Sequence, residues 1–486
     1  MKGLATFAAS AGLLWACSEG LTLSQRTNAS PKVVGFPVVR KSVPNPLKRD
    51  QLRRRSGTVQ ATLDNEETLY FANATLGTPA QTVRLHIDTG SSDLWVNTAT
   101  SDLCTAKGKA CTAAGTYSAN DSSTYSYIAS DFNITYVDGS GASGDYVTDN
   151  FTLGSTTLKT LQFGIGYTSS SAEGILGIGY QLNEVQVQRA GKSAYLNLPA
   201  QLVSDGLISS NAYSLWLNDL DASTGSILFG GVDTDQFQGT LATLPIQSES
   251  GGQYGEFLLT LTGLSLGDTV IAKDQAQAVL MDSGSSLTYL PDAMAEAIYD
   301  QVSAQYDSQE GAAYIPCSMA SNSTTVGFTF SSPTIQVSMD ELVIEISSSS
   351  GKPLTFSDGE RACLFGIAPA GSSTPVLGDT FIRSAYLVYD LANNEISIAQ
   401  TNFNATSNNV VEITTGTAAV PSATVVQNPV TATAGATNEA MAGTVTLGAG
   451  GTATATSKAK SGAKITMPPM KLTALAVSLG MLYAAM

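Results

Sequence analysis

Apolar and polar positions along this chain fall into short runs, mostly without helical spacing. Val83-Arg84-Leu85-His86-Ile87 alternates with a period of two, as a half-buried strand does, and Ala278-Val279-Leu280-Met281 is an apolar run of strand length. Each ends at an acid inside a small-residue loop, Asp88-Thr89-Gly90-Ser91-Ser92 and Asp282-Ser283-Gly284-Ser285-Ser286. Each loop leads into a second apolar stretch, at 94–96 and 287–290. Further strands are predicted at 69–76, 213–217, 226–230, 387–389 and 396–399. Strands at 132–137 and 145–153 flank Asp138-Gly139-Ser140-Gly141, turn residues that suit a hairpin tip. Helical periodicity is confined to 198–205 and 292–306, the second capped by Asp292 after Pro291. Ile175-Leu176-Gly177 and Val376-Leu377-Gly378 complete a weak internal repeat. Strand, acidic loop, cysteine pair and apolar-apolar-Gly occur twice in that order, which predicts an all-β protein of two related lobes, 60–217 and 218–402, with a site between them.

Composition supports that class and adds an asymmetry. Charged residues make up 13% of the 486 positions, apolar ones 43%, and 45 Gly and 17 Pro suit many turns. The first 55 residues carry ten Lys/Arg against Glu19 and Asp50, leaving 14 basic and 38 acidic residues, a net charge of −24, in the remainder. So acidic a body disfavours nucleic acid and attracts basic partners, although the same acids also serve solubility. Residues 1–20 read as a secretory signal, basic then apolar then small. Residues 21–55, ending in Lys48-Arg49 and Arg53-Arg54-Arg55, read as a basic propeptide able to cover an acidic cleft; a solvated basic linker is the alternative.

Residues 403–463 turn to Thr, Ala, Ser and Gly, a composition that predicts an extended stalk. Ser461-Gly462-Ala463, a spacer and the apolar 472–486 form the pattern of a lipid-anchor (GPI) signal over 464–486, with Ser461 the attachment site. A retained spanning helix is the alternative, but this stretch falls short of the roughly twenty residues needed. Seven Asn-x-Ser/Thr sequons start at Asn28, Asn73, Asn120, Asn133, Asn150, Asn322 and Asn404, with Asn133 expected to be occluded in its strand. Of five cysteines, Cys17 lies in the signal, and Cys104-Cys111 and Cys317-Cys363 give one pairing per half, as a secreted chain would have. With a single His and no ligand spacing, no metal and no cofactor is expected.

Two carboxylates in one small space cannot both ionise cheaply, so one keeps a proton and the pair acts as acid and base together. The charged member can deprotonate a water while the protonated member donates to a carbonyl oxygen. No nucleophilic side chain or His base is needed. The only histidine, His86, should point to the same side of its strand as Asp88 and is read as structural.

With these residues in place, the chain resembles pepsin-family aspartic endopeptidases, specifically the fungal, cell-surface yapsin type, over 66–402. The resemblance is carried by both acidic loops, both apolar-apolar-Gly runs, Phe381-Ile382-Arg383 and the stretch Val388-Tyr389-Asp390-Leu391-Ala392-Asn393-Asn394. It implies a bilobal β fold with a central cleft, a hairpin flap and a catalytic dyad of Asp88 and Asp282. Ser91, Ser285 and the backbone at Gly90 and Gly284 would donate to the two carboxylates. Flap and substrate-binding positions would be Tyr136, hydrogen-bonded by Trp95, with Asp138, Gly139 and Ile175. Asp138 stands where pepsin has a neutral hydroxyl residue; some fungal relatives use an acid there to accept a basic side chain just before the cut, though Asp is also a common turn residue. The expected function is a secreted, surface-anchored, monomeric endopeptidase acting at acidic pH on peptides with Lys/Arg at the cut. An inactive pepsin-like surface binding protein and a structural wall glycoprotein are the alternatives.

Overall fold

The structure, a computed structural model, describes residues 31–44, 66–106, 109–136, 140–222, 224–249, 251–347, 352–432, 444–447 and 451–454. The first ten strands are β1 (Val34–Pro44), β2 (Glu66–Leu76), β3 (Gln81–Asp88), β4 (Leu94–Asn97), β5 (Ser126–Thr135), β6 (Gly141–Leu153), β7 (Thr156–Ser169), β8 (Gly174–Gly177), β9 (Ala212–Trp216) and β10 (Thr224–Phe229). All ten belong to one 14-stranded sheet. It runs from Ala423–Val425 through Phe237–Pro245, Glu395–Thr401 and Ala385–Asp390 to β9, β10, β1, β2, β3, β8, β4, β7, β6 and β5. The 217/218 boundary therefore falls in the β9–β10 connection, inside a sheet that both lobes share.

The repeat read from the sequence is a repeat of pairing. β3 runs parallel to β8, with Asp88 beside Gly177; in the second lobe Gln277–Met281 runs parallel to Val376–Leu377, with Met281 beside Leu377. Each glycine of the apolar-apolar-Gly runs sits where no side chain fits. A Cβ on Gly177 would lie 2.6 Å from the Asp93 nitrogen, and one on Gly378 would lie 2.3 Å from the Ser285 oxygen. So each run can press against the acidic loop of its own lobe. A continuous core fills both lobes and crosses the shared sheet, where the rings of Tyr213 and Tyr389 stand 5.1 Å apart and those of Phe257 and Tyr389 4.6 Å apart. Cys104–Cys111 and Cys317–Cys363 are both bonded.

Several expectations need correction. The stalk does not begin at residue 403. Val410–Glu412 pairs with Gly231–Asp233, and Ala423–Val425 pairs with Phe237–Pro245. Ile413, Ala419 and Val420 are buried against Trp216, Leu241, Tyr386 and Val388 on the back of the sheet. A few well-spaced apolar residues suffice for this, and the Thr/Ala-rich average hides them. The described part of the basic segment does not lie over a cleft: β1 is an inner strand, antiparallel to both β10 and β2. Its alternating Val34, Phe36 and Val38 are buried, and that period of two drives it into the sheet.

The second helix spans Asp292–Val302 and stops at Ser303, which turns left-handed at φ 56°. Asp292 is its first residue and not its cap; its carboxylate accepts the Gly371 N–H at 2.9 Å. Asn133 is exposed, on the polar side of β5, and not occluded. Among the described residues no helix is long and apolar enough to cross a membrane. The signal, the Lys/Arg pairs at 48–55, Ser461 and the anchor segment lie outside the described residues.

Candidate active site

β3 and Gln277–Met281 each deliver an acid at the strand end, and each acid is held by its own loop in the same way. The Gly90 N–H donates to Asp88 Oδ1 at 2.9 Å and the Ser91 hydroxyl to Oδ2 at 2.7 Å. The Gly284 N–H donates to Asp282 Oδ1 and the Ser285 hydroxyl to Oδ2, both at 2.7 Å. Donors aimed at both oxygens favour the ionised form and fix the carboxylate planes. Asp88 is fully buried and Asp282 nearly so.

The two loops are locked to each other by the middle residues of the motifs, which sequence reading passed over. Thr89 Oγ1 donates to the Met281 oxygen at 2.9 Å and accepts the Ser283 N–H at 2.9 Å. Reciprocally, Ser283 Oγ donates to the Ile87 oxygen at 3.1 Å and accepts the Thr89 N–H at 3.2 Å. This near-twofold lattice needs a hydroxyl in each copy, and the shared Thr/Ser at the second motif position was the available signal. It brings the acids together: a Cβ on Gly90 would lie 2.5 Å from Asp282 Oδ1.

Behind the first acid, Trp95 is fully buried and its indole N–H donates to the Tyr136 hydroxyl at 2.8 Å. Ile175, Phe132, Ile134, Ala142 and Tyr146 pack with Trp95, and Tyr136 lies against this cluster. Tyr136 stands at the end of the β5–β6 hairpin, where its N–H donates to the Ser140 oxygen at 2.8 Å. Asp138 and Gly139 lie outside the described residues. His86 is buried beside Phe71, with ring centroids 5.7 Å apart.

Three further acids have carboxyls raised by burial. Asp93, fully buried, accepts the hydroxyls of Tyr146 at 2.8 Å and Tyr195 at 3.0 Å and the Val185 N–H at 2.9 Å. Burial nevertheless pushes its carboxyl above the usual range. Glu184, also fully buried, is pushed up to about 9 by burial and by Asp93. Glu256 is pushed up to about 7 by burial, Glu249 and Asp282. Spacing gave no sign of these three, because none belongs to a motif. Among the described residues no group of three or more His, Cys, Asp or Glu could hold a metal ion.

Comparison with known proteins assigns the chain. A sequence model of the eukaryotic aspartyl protease family matches residues 69–401. A probable aspartic-type endopeptidase OPSB of Aspergillus oryzae is 55% identical over 86% of this chain and 87% of its own length. The corresponding protein of Arthroderma benhamiae is 52% identical over 98% of this chain and 97% of its own. Secreted aspartic protease 8 of Candida albicans is 35% identical over 73% of this chain and 81% of its own. The crystal structure of an aspartic proteinase from Irpex lacteus superposes with a TM-score of 0.58 at 22% identity, covering 77% of this chain and all of that one, a likeness of fold. The chain belongs to the eukaryotic aspartyl protease family and is an aspartic-type endopeptidase.

Proposed function

We propose that Asp88 and Asp282 form the catalytic dyad of a secreted, cell-surface-anchored endopeptidase that favours Lys or Arg at the cut. The observation that carries the dyad is the paired lattice around two facing carboxylates, each oxygen bound by its own loop. One carboxylate keeps a proton and the other holds a water. The ionised acid takes a proton from the water as its oxygen bonds to the peptide carbonyl carbon. The protonated acid donates to the carbonyl oxygen. The tetrahedral adduct then collapses, the C–N bond breaks, and a dyad proton passes to the leaving amine. Tyr136, on a hairpin end braced by Trp95, closes over the substrate. Asp138 at the hairpin tip pairs with a basic side chain.

Secretion is supported by the 1–20 apolar leader, the two disulfides and the secreted Candida relative. Anchoring rests on the Ser461 region and the apolar 472–486. Residues 21–55 act as a propeptide, and cleavage at Lys48-Arg49 or Arg53–Arg55 leaves β1 without covalent continuity to β2.

The test is turnover of peptides with Lys/Arg or Met/Phe at the cut, by wild type and Asp282→Asn, across pH and with a transition-state-mimicking inhibitor of the dyad. Inhibitable turnover lost in the variant is the expected result. Turnover that survives Asp282→Asn would overturn the dyad. Equal losses on basic and apolar substrates in Asp138→Thr would overturn the assigned selectivity.

A further inference from the structure

A carboxylate that the dyad chemistry does not use, Glu256, lies near Asp282. Leu258–Leu261 pairs antiparallel with Gln277–Met281, with Leu258 opposite Leu280, and the Met281 N–H donates to the Phe257 oxygen at 3.0 Å. Glu256 precedes Phe257 and Asp282 follows Met281, so this bond brings the two acids near each other, with Glu256 in a bend where the Leu258 N–H donates back to its oxygen at 3.1 Å. The loop that carries Glu256 is pinned. The Gln247 N–H donates to the Leu258 oxygen at 2.8 Å, the Glu249 N–H to the Gln253 oxygen at 2.9 Å, and the Gly255 N–H to Glu249 Oε1 at 2.9 Å. Across the cleft, Asn183 Nδ2 donates to the Gly90 oxygen at 3.3 Å, so the acidic loop of the first lobe is tied down as well. Glu256 is half-buried, not sealed in the core. The charged groups that bear on it are Glu249 on its own loop and Asp282 on the facing strand, and both are acids.

We propose that Glu256 is a specificity-determining residue, a third carboxylate of the cleft that selects substrates with a cationic side chain, and does so more strongly as the pH rises. The proposal rests on the dyad reading above. At acidic pH Glu256 is neutral, because burial and the two neighbouring acids hold its proton on until about pH 7. A neutral carboxyl offers a cation little. Once ionised, it is an unpaired charge in a partly dry site, and a Lys or Arg side chain is the partner it lacks. The same ionisation acts on the dyad. A negative charge near Asp282 makes the dyad hold its single proton to higher pH, since the interaction of two titrating acids is reciprocal. Glu256 therefore extends activity toward neutral pH and, over the same interval, turns the enzyme toward basic substrates.

The experiment uses protein expressed from the full chain and two peptides that differ only in Lys or Met at one position, assayed for kcat/KM from pH 4 to 7.5. In wild type the Lys/Met ratio is expected to climb by about tenfold across this range, equivalent to one pKa unit of differential interaction. In Glu256→Gln the ratio is expected to be flat, and the alkaline limb on the Met peptide to move to lower pH by about half a unit to one unit. Glu256→Asp, which keeps the charge, restores the climb. Glu249→Gln removes one repelling acid and moves the climb to lower pH, which decides the matter even if Glu256→Gln fails to fold. An active wild type with a flat ratio, or a climb unchanged in Glu256→Gln or in Glu249→Gln, overturns the proposal and leaves the dyad standing. A wild type without turnover overturns the dyad reading and the proposal with it.

Discussion

Glu184 offers the sharpest test of how this scaffold responds to pH. It precedes the short helix Val185–Gln188 and is fully buried. Oε2 accepts the Tyr195 N–H at 2.9 Å, while Oε1 has no hydrogen-bond partner among the described residues. Burial, then the nearby Asp93, moves its carboxyl from 4.5 to about 9. A raised carboxyl means that the folded chain binds more protons than the unfolded one between those two values. Stability is therefore whole below about pH 4.5 and is lost as the pH rises toward about 9. At pH 7 the loss from this one group is about 3 kcal/mol, taking about 1.4 kcal/mol per pH unit above 4.5. Glu184→Gln keeps the shape and the acceptor for Tyr195 but cannot ionise. Urea unfolding at pH 4, 5.5 and 7, in an Asp282→Asn background to prevent self-digestion, reads the effect. The amide introduces some constant offset, yet the gap between Glu and Gln proteins should move by about 3 kcal/mol in favour of Gln from pH 4 to pH 7. Parallel curves would show that Glu184 does not titrate as its burial requires.

Three further outcomes follow from the geometry. Gly90→Ala sets a methyl 2.5 Å from Asp282 Oδ1; kcat should fall by about a hundredfold or more with the melting temperature little changed, since the fault is misplacement at the reacting centre. Trp95→Phe removes the donor to the Tyr136 hydroxyl; kcat/KM should drop by up to about tenfold, the worth of one hydrogen bond, and Tyr136→Phe on top of it should cost little more. A chain ended after residue 402 exposes the surface that Ile413 and Val420 cover; it should lose several kcal/mol of stability at roughly 1.5–3 kcal/mol per large buried aliphatic side chain, whereas one ended after residue 432 gives up only the 444–454 hairpin that pairs with Ala272 and Lys273 and should lose far less.

What could be read from the sequence was whatever has a local signature. The two acidic loops, the strands that lead into them and the glycine runs that press on them were legible, because a period of two and a Gly/Ser loop are written in neighbouring residues. The disulfides were legible from one cysteine pair in each half. Registers and distant partners were not. Nothing near Glu256 in the chain points to Asp282; only the bond from the Met281 N–H to the Phe257 oxygen brings their neighbours together. Glu184 and Asp93 meet only after β4, the 185–188 helix and the hairpin have packed together. The region 403–432 misled for the opposite reason. Its average composition is that of a stalk, but strand pairing and burial depend on which few positions are apolar, and Val410, Ile413, Val420 and Val426 are those few. β1 likewise carries its alternating pattern beneath a charge count that drew attention to the surface.

The buried acids tie the proposed site to the pH of its medium. Asp233 and Asp390 join Asp93, Glu184 and Glu256 in having carboxyls raised by burial. In acid Glu184 and Glu256 are neutral and their burial is inexpensive. On the proposed chemistry the same medium leaves Asp88 and Asp282 with the single proton the pair uses. Raising the pH then acts twice, through different residues. At the dyad it removes the shared proton and with it the acid that protonates the carbonyl oxygen. Behind the hairpin it ionises Glu184 beside Asp93, whose hydrogen bonds to Tyr146 and Tyr195 hold the wall against which Phe132 and Trp95 pack. The two effects are separable because the groups are distinct. Glu184→Gln should keep the fold stable to higher pH without moving the alkaline limb of turnover. If that variant instead moved the alkaline limb to higher pH, loss of the scaffold, and not loss of the dyad proton, would be what limits the enzyme on the alkaline side.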